Sequence, residues 1–166
     1  MALLFWDASA LVKRYFVEVG SETVDALIDN SLPHALATTP WGYAETYSVL
    51  LRRLNSGAID LPAFTTAATA LQAEVVSGPN FGLLSISDAM VFASTGIMRQ
   101  HNLNATDAAI LALLLDYTQL LPSGRSGCVV LAADRRLLRA ADAEGLKTVD
   151  PEALADADVP AFLASL

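Results

Sequence analysis

Leu3-Leu4-Phe5-Trp6-Asp7-Ala8-Ser9-Ala10-Leu11-Val12-Lys13 begins as an uninterrupted apolar run and breaks off at an aspartate. Apolar residues without polar alternation are the pattern of a strand covered on both faces, as parallel strands are. The Asp-Ala-Ser that follows reads as a tight turn into a helix, so Asp7 stands at the carboxyl end of the first strand. In open parallel sheets, strand ends and helix N-termini converge on that edge, and ligands bind there.

The same alternation continues along the chain. Ala8 to Phe16 reads as a helix, and a second runs from Glu22 to Asp29 with Ser21 as its N-cap. His34-Ala35-Leu36-Ala37-Thr38 reads as a strand and Trp41 to Asn55 as a long helix stopped by Ser56-Gly57. A further helical stretch runs from Leu61 to Val76, broken by Gly78-Pro79. Phe81 to Ile86 is a third apolar run, and Ser87 or Asp88 caps a helix reaching His101. Asn104-Ala105-Thr106-Asp107 opens an Ala- and Leu-rich helix from Ala108 to Tyr117 that should be buried. Leu121 to Gly127 is a Gly-, Ser- and Pro-rich loop, expected to be mobile. Cys128 to Ala132, Asp134 to Glu144 and Leu146 to Val149 then read as strand, helix and strand, and a short helix lies beyond Glu152. The expectation is an α/β fold: one domain over residues 1–166, with a mostly parallel sheet of about five strands between helices and right-handed crossovers.

With 166 residues and 54% hydrophobic composition, the chain can bury one sizeable core. No apolar run reaches the length of a transmembrane helix, and no basic segment with a cleavage site precedes the first strand, which points to a cytoplasmic protein without a membrane partner. The lone Cys128 rules out an internal disulfide or a multi-cysteine zinc site and reads as a small buried hydrophobe. A net charge of −8 opposes broad electrostatic attraction to nucleic acid, so such chemistry would need local cations. His34 and His101 are far apart and lack zinc-hydrolase spacing, which also leaves Ser9 without a histidine base. The glycines of Ser123-Gly124-Arg125-Ser126-Gly127 precede a strand rather than a helix, unlike a phosphate-binding loop.

Among 18 acidic residues, four stand out by position. Asp7 and Asp134 end two strands, Asp107 opens the buried helix, and Glu45 lies in the aromatic segment Trp41-Gly42-Tyr43-Ala44-Glu45-Thr46-Tyr47. Taken singly, Asp7 and Asp134 read as helix N-caps, and Asp107 as a first-turn acid behind a Thr106 cap. Glu45 reads as part of a polar stripe with Ser48 and Arg52. Taken together, Asp7, Asp107 and Asp134 can face one cleft. Carboxylates brought that close are stable only when protonated or bridged by cations. An all-oxygen set suits Mg²⁺ or Mn²⁺, which activate water and neutralise charge on a phosphodiester.

Four segments in order carry a resemblance: Phe5-Trp6-Asp7-Ala8-Ser9-Ala10-Leu11-Val12-Lys13, Ala44-Glu45 with Val49-Leu50-Leu51-Arg52-Arg53, Ala105-Thr106-Asp107-Ala108-Ala109-Ile110-Leu111-Ala112, and Ala132-Ala133-Asp134-Arg135-Arg136-Leu137. The chain resembles the PIN-domain ribonucleases, in particular the VapC-like toxins of bacterial type II toxin–antitoxin pairs. That resemblance implies a divalent-metal-dependent endoribonuclease whose acidic cluster is Asp7, Glu45, Asp107 and Asp134, with Ser9 as the supporting hydroxyl. It also implies an RNA substrate, a cognate antitoxin and a homodimer. Ala132 stands where the family often has a threonine, which removes one supporting hydroxyl.

Lys13, Arg14, Arg52, Arg53, Arg135 and Arg136 lie close in sequence to one of the acids and are candidate phosphate contacts, Lys13 foremost and Arg52 next. Two further readings remain open: a non-catalytic module that binds a protein partner, and a metal-dependent phosphatase acting on small esters.

Overall fold

The computed structural model describes residues 2–32 and 34–166. Five parallel strands form one sheet: β1 (Leu3–Trp6), β2 (Leu36–Thr38), β3 (Phe81–Leu83), β4 (Cys128–Leu131) and β5 (Lys147–Val149), in the spatial order β3-β2-β1-β4-β5. The helices are α1 (Ala8–Leu11), α2 (Ser21–Asn30), α3 (Pro40–Asn55), α4 (Leu61–Leu71), α5 (Asp88–His101), α6 (Ala105–Gln119), α7 (Arg135–Ala143) and α8 (Val159–Ala164).

The unbroken apolar character of β1 has a direct structural cause. Leu4 and Trp6 enter a core built with α1, α2, α3, α4 and α8, whereas Phe5 enters a second core with α6 and α7 on the opposite face. β4 divides in the same way, Val129 and Leu131 against Cys128 and Val130. With both faces dry, no position on either strand favours a polar side chain. Trp6 pairs with Leu131, so both strands end at the same level. The chain builds outward from β1 through β2 to β3 and then returns to place β4 on the other side of β1. That reversal leaves a crevice at the carboxyl ends of β1 and β4, because the connections leave the two strands towards opposite faces of the sheet.

The cap of α2 is Gly20, not Ser21. Gly20 has φ +86°, and an added Cβ would lie 2.8 Å from the Pro151 carbonyl oxygen, so conformation and space both demand glycine. The Ser21 hydroxyl instead donates to the Lys13 carbonyl and accepts from the Glu18 N–H. The first helix is shorter than Ala8 to Phe16: it tightens to a 3₁₀ turn over Val12–Arg14. The stretch from Leu61 to Val76 divides into α4 and a π-helical segment, Gln72–Ser77. Within the Leu121–Gly127 segment, Gly124–Gly127 forms a 3₁₀ turn. Among the described residues no helix is long and apolar enough to cross a membrane.

Candidate active site

Asp7 follows β1 in extended conformation and caps α1, as its single-residue reading suggested. One of its carboxylate oxygens accepts from the Ser9 N–H (2.9 Å) and the Ser9 hydroxyl (2.5 Å). That hydroxyl oxygen in turn accepts from the N–H groups of Ala133 (2.9 Å) and Asp134 (3.2 Å). One side chain thus ties the end of β1 to the turn that leaves β4 and sets the spacing of two acids. Its partners lie over a hundred positions away, so the bridge is invisible in local sequence. Asp134 caps α7 and accepts from the Arg136 N–H at 2.7 Å.

Asp107 stands in the first turn of α6, but its cap is Asn104 rather than Thr106. Asn104 Oδ1 accepts from the Asp107 N–H, and Asn104 Nδ2 donates to Asp107 Oδ2, each at 2.9 Å. The Asn-x-x-Asp spacing, an N-cap followed three residues on by an acid, was the available signal. Thr106 lines an apolar slot with Trp41. Glu45 comes from α3, on the turn preceding Ser48 and Arg52, and accepts no hydrogen bond among the described residues.

Asp7, Glu45, Asp107 and Asp134 line one cavity of about 270 Å³, together with Ser9, Ser48 and Arg52. Asp7 and Asp107 are only 6% and 9% exposed. Burial is the main force raising the Asp7 carboxyl, opposed by its hydrogen bonds to Ser9 and Ala8 and reinforced by the charge of Asp134. Glu45 is raised by burial and by Asp7, with Arg52 opposing. Asp107 is pushed up to about 6 by burial and then by the charges of Asp7, Asp134 and Glu45, against Arg136. Asp7, Glu45 and Asp107 are therefore each perturbed by another acid of the set, as expected for carboxylates sharing a cleft.

Among the described residues no three acid, histidine or cysteine side chains already stand together as a complete ligand set. The donor chemistry nonetheless fits Mg²⁺ or Mn²⁺: every donor is a hard oxygen, and Mg²⁺ keeps most of its waters while bound through one or two carboxylates.

Lys13, expected as a phosphate contact, is engaged within the fold: the residue is 4% exposed, and its ammonium donates to Glu18 (3.0 Å), the Val19 carbonyl (3.0 Å) and Glu152 (2.7 Å), which uses all three of its donors. Arg14 is likewise occupied, by Asp25, Asp29 and Glu74, and Arg53 lies 3.8 Å over the Phe16 ring while pairing with Glu18. Of the six cations, Arg52 lines the cavity, its guanidinium donating to Ser48 at 2.9 Å. Arg135 and Arg136 are exposed beside Asp134.

A family model described as PIN domain matches residues 4–143, a span that includes all four acids. A solved structure, PAE2754 from Pyrobaculum aerophilum, aligns over 99% of this chain and 97% of its own with a TM-score of 0.63 and 17% identity, a likeness of fold. Comparison with curated proteins returns no match.

Proposed function

Because the chain belongs to the PIN domain family, a fold that usually serves nucleases, we propose that it is a divalent-metal-dependent endoribonuclease and the toxin of a toxin–antitoxin pair. The observation that carries the reading is the convergence of four carboxylates, from the end of β1, α3, α6 and the turn after β4, on one cavity.

Asp7, Glu45, Asp107 and Asp134 would hold Mg²⁺ or Mn²⁺. When bound, the ion supplies water activation and neutralises charge building on the phosphate. Ser9 fixes the spacing of Asp7 and Asp134 through its three hydrogen bonds. Glu45 lines the cavity with the three aspartates, and its carboxylate oxygen can accept a proton from the attacking water. Arg52, on the same helix, orients a phosphate oxygen at the cavity rim. The whole of residues 1–166 acts as one domain in the cytoplasm, as a homodimer. The cognate antitoxin presents a basic side chain to the acidic cleft.

The test is cleavage of total RNA with Mg²⁺ or Mn²⁺, comparing the wild type with Asp7→Asn. Chelator-sensitive cutting that the variant lacks is the expected result. Cutting that survives chelation refutes the metal mechanism. Absence of both cutting and metal binding by calorimetry favours a protein-binding module on the same fold.

A further inference from the structure

The two helices that carry Glu45 and Asp107, α3 and α6, also line a second concavity of different chemistry. It measures about 200 Å³, opens to solvent, and is lined by Trp41, Ile86, Val91, Ala105, Thr106 and Ala109, with no charged group among them. Trp41 is 61% exposed, which is costly for the largest apolar side chain unless something covers it. Two elements connect this slot to the acids. Trp41 precedes Glu45 by four residues on α3, so both occupy one helix face, and Thr106 directly precedes Asp107 on α6.

The indole is carried on a rigid base. Thr39 caps α3 by accepting from the Gly42 N–H at 2.9 Å, and Gly42 packs so closely on the Thr38 hydroxyl that any side chain there would collide with it. Thr38 itself donates to the Trp6 carbonyl at 2.7 Å, which fixes the start of α3 to the end of β1.

We propose that this slot is a base-stacking subsite, in which an unpaired nucleobase of the RNA lies on Trp41 while its phosphate is presented to the acidic cavity. The proposal rests on the nuclease reading above. The two concavities divide a nucleotide by chemistry: carboxylates and Arg52 face the charged backbone, and the uncharged slot with its exposed aromatic plane faces the flat base. Single-strand recognition commonly joins aromatic stacking to backbone contacts, and every base offers a π face.

Intrinsic fluorescence tests this directly, since Trp6 is 0% exposed and Trp41 is the other of two tryptophans. In an Asp7→Asn background that prevents cutting, a short oligoadenylate should quench the exposed tryptophan, and an abasic strand of equal length should not. Trp41→Ala should weaken oligoadenylate binding roughly 5- to 150-fold, the range for loss of one stacked base. Trp41→Phe should restore most of it. In the otherwise unaltered enzyme, Trp41→Ala should raise KM for a short single-stranded RNA and leave kcat unchanged. If Trp41→Ala binds and cuts as the wild type does, stacking is overturned and the nuclease reading stands. A shift of Trp41→Ala to a smaller species in sedimentation overturns it in favour of a second copy of the chain covering the indole. If the unaltered enzyme neither binds nor cuts RNA, both readings fall.

Discussion

Replacing Asp107 by asparagine should make the metal-free protein more stable while abolishing cleavage. Asp107 is 9% exposed, and its carboxyl is carried from 3.8 to about 6 by burial and by the charges of Asp7, Asp134 and Glu45. That displacement corresponds to about 3 kcal/mol by which the folded state disfavours the ionised form. Screening in an open cleft reduces the measurable part to about 1–3 kcal/mol. The amide is nearly isosteric, and its oxygen can still accept from Asn104 Nδ2.

The gain has a defined pH window. Below about pH 4 the wild-type carboxyl is protonated in both folded and unfolded chains, so the substitution changes little. Between about pH 4 and 6 the unfolded chain releases its proton before the folded one does, and wild-type stability falls as pH rises. Above about pH 6 the full advantage of the variant is present. At about 2–4 °C per kcal/mol for a domain of this size, Asp107→Asn should melt roughly 2–12 °C higher at pH 7.5 and near the wild type at pH 3.5. Saturating Mg²⁺ should raise the wild-type Tm and thereby narrow the gap. Thermal melts across pH, with and without Mg²⁺, measure all of this. A variant that melts lower than the wild type at pH 7.5, or a difference independent of pH, would refute the reasoning.

Ser9→Ala leaves the Ala133 and Asp134 N–H groups without their acceptor; it should cost about 1–3 kcal/mol in denaturant unfolding and lower kcat by loosening the Asp7–Asp134 spacing. Lys13→Ala should destabilise by about 1–3 kcal/mol, since it removes the cation of Glu152 and one of the two cations of Glu18, yet leave cleavage unchanged below the melting point. A raised KM at unchanged stability would instead return Lys13 to the substrate. Arg52→Ala should weaken RNA binding evenly across sequences and reduce the salt dependence of log K by about one phosphate contact, measured by titration at several ionic strengths.

The raised carboxyls describe a site under electrostatic load. Burial and mutual charge load Asp7, Glu45 and Asp107, while the Ser9 bridge and the Asn104 cap fix the backbones that carry the acids. A bound cation would offset that repulsion, so stability and metal binding should be linked at the carboxylates.

What the sequence determined by itself follows from local rules. Continuous apolar runs marked β1 and β4 because strands dry on both faces have nowhere to place a polar side chain, and the aspartates after those runs marked a candidate site because strand ends coincide with helix starts. The buried Ala- and Leu-rich helix α6 was legible for the same reason. The tertiary structure decided what depends on partners remote in the chain. Lys13 and Arg52 both read as candidate phosphate contacts; only packing showed the first enclosed by Glu18 and Glu152 and the second on the cavity wall. Ser21 and Thr106 looked like caps, but Gly20 took the first place because its positive φ and the nearby Pro151 carbonyl demand glycine, and Asn104 took the second because α6 starts earlier and Asn caps it through the Asp107 N–H. Trp41 was part of an aromatic helix segment until the fold set it in one concavity with Thr106 and Ala109. A linear pattern encodes the periodicity of burial, whereas adjacency across the sheet edge arises only when separate strands and helices pack.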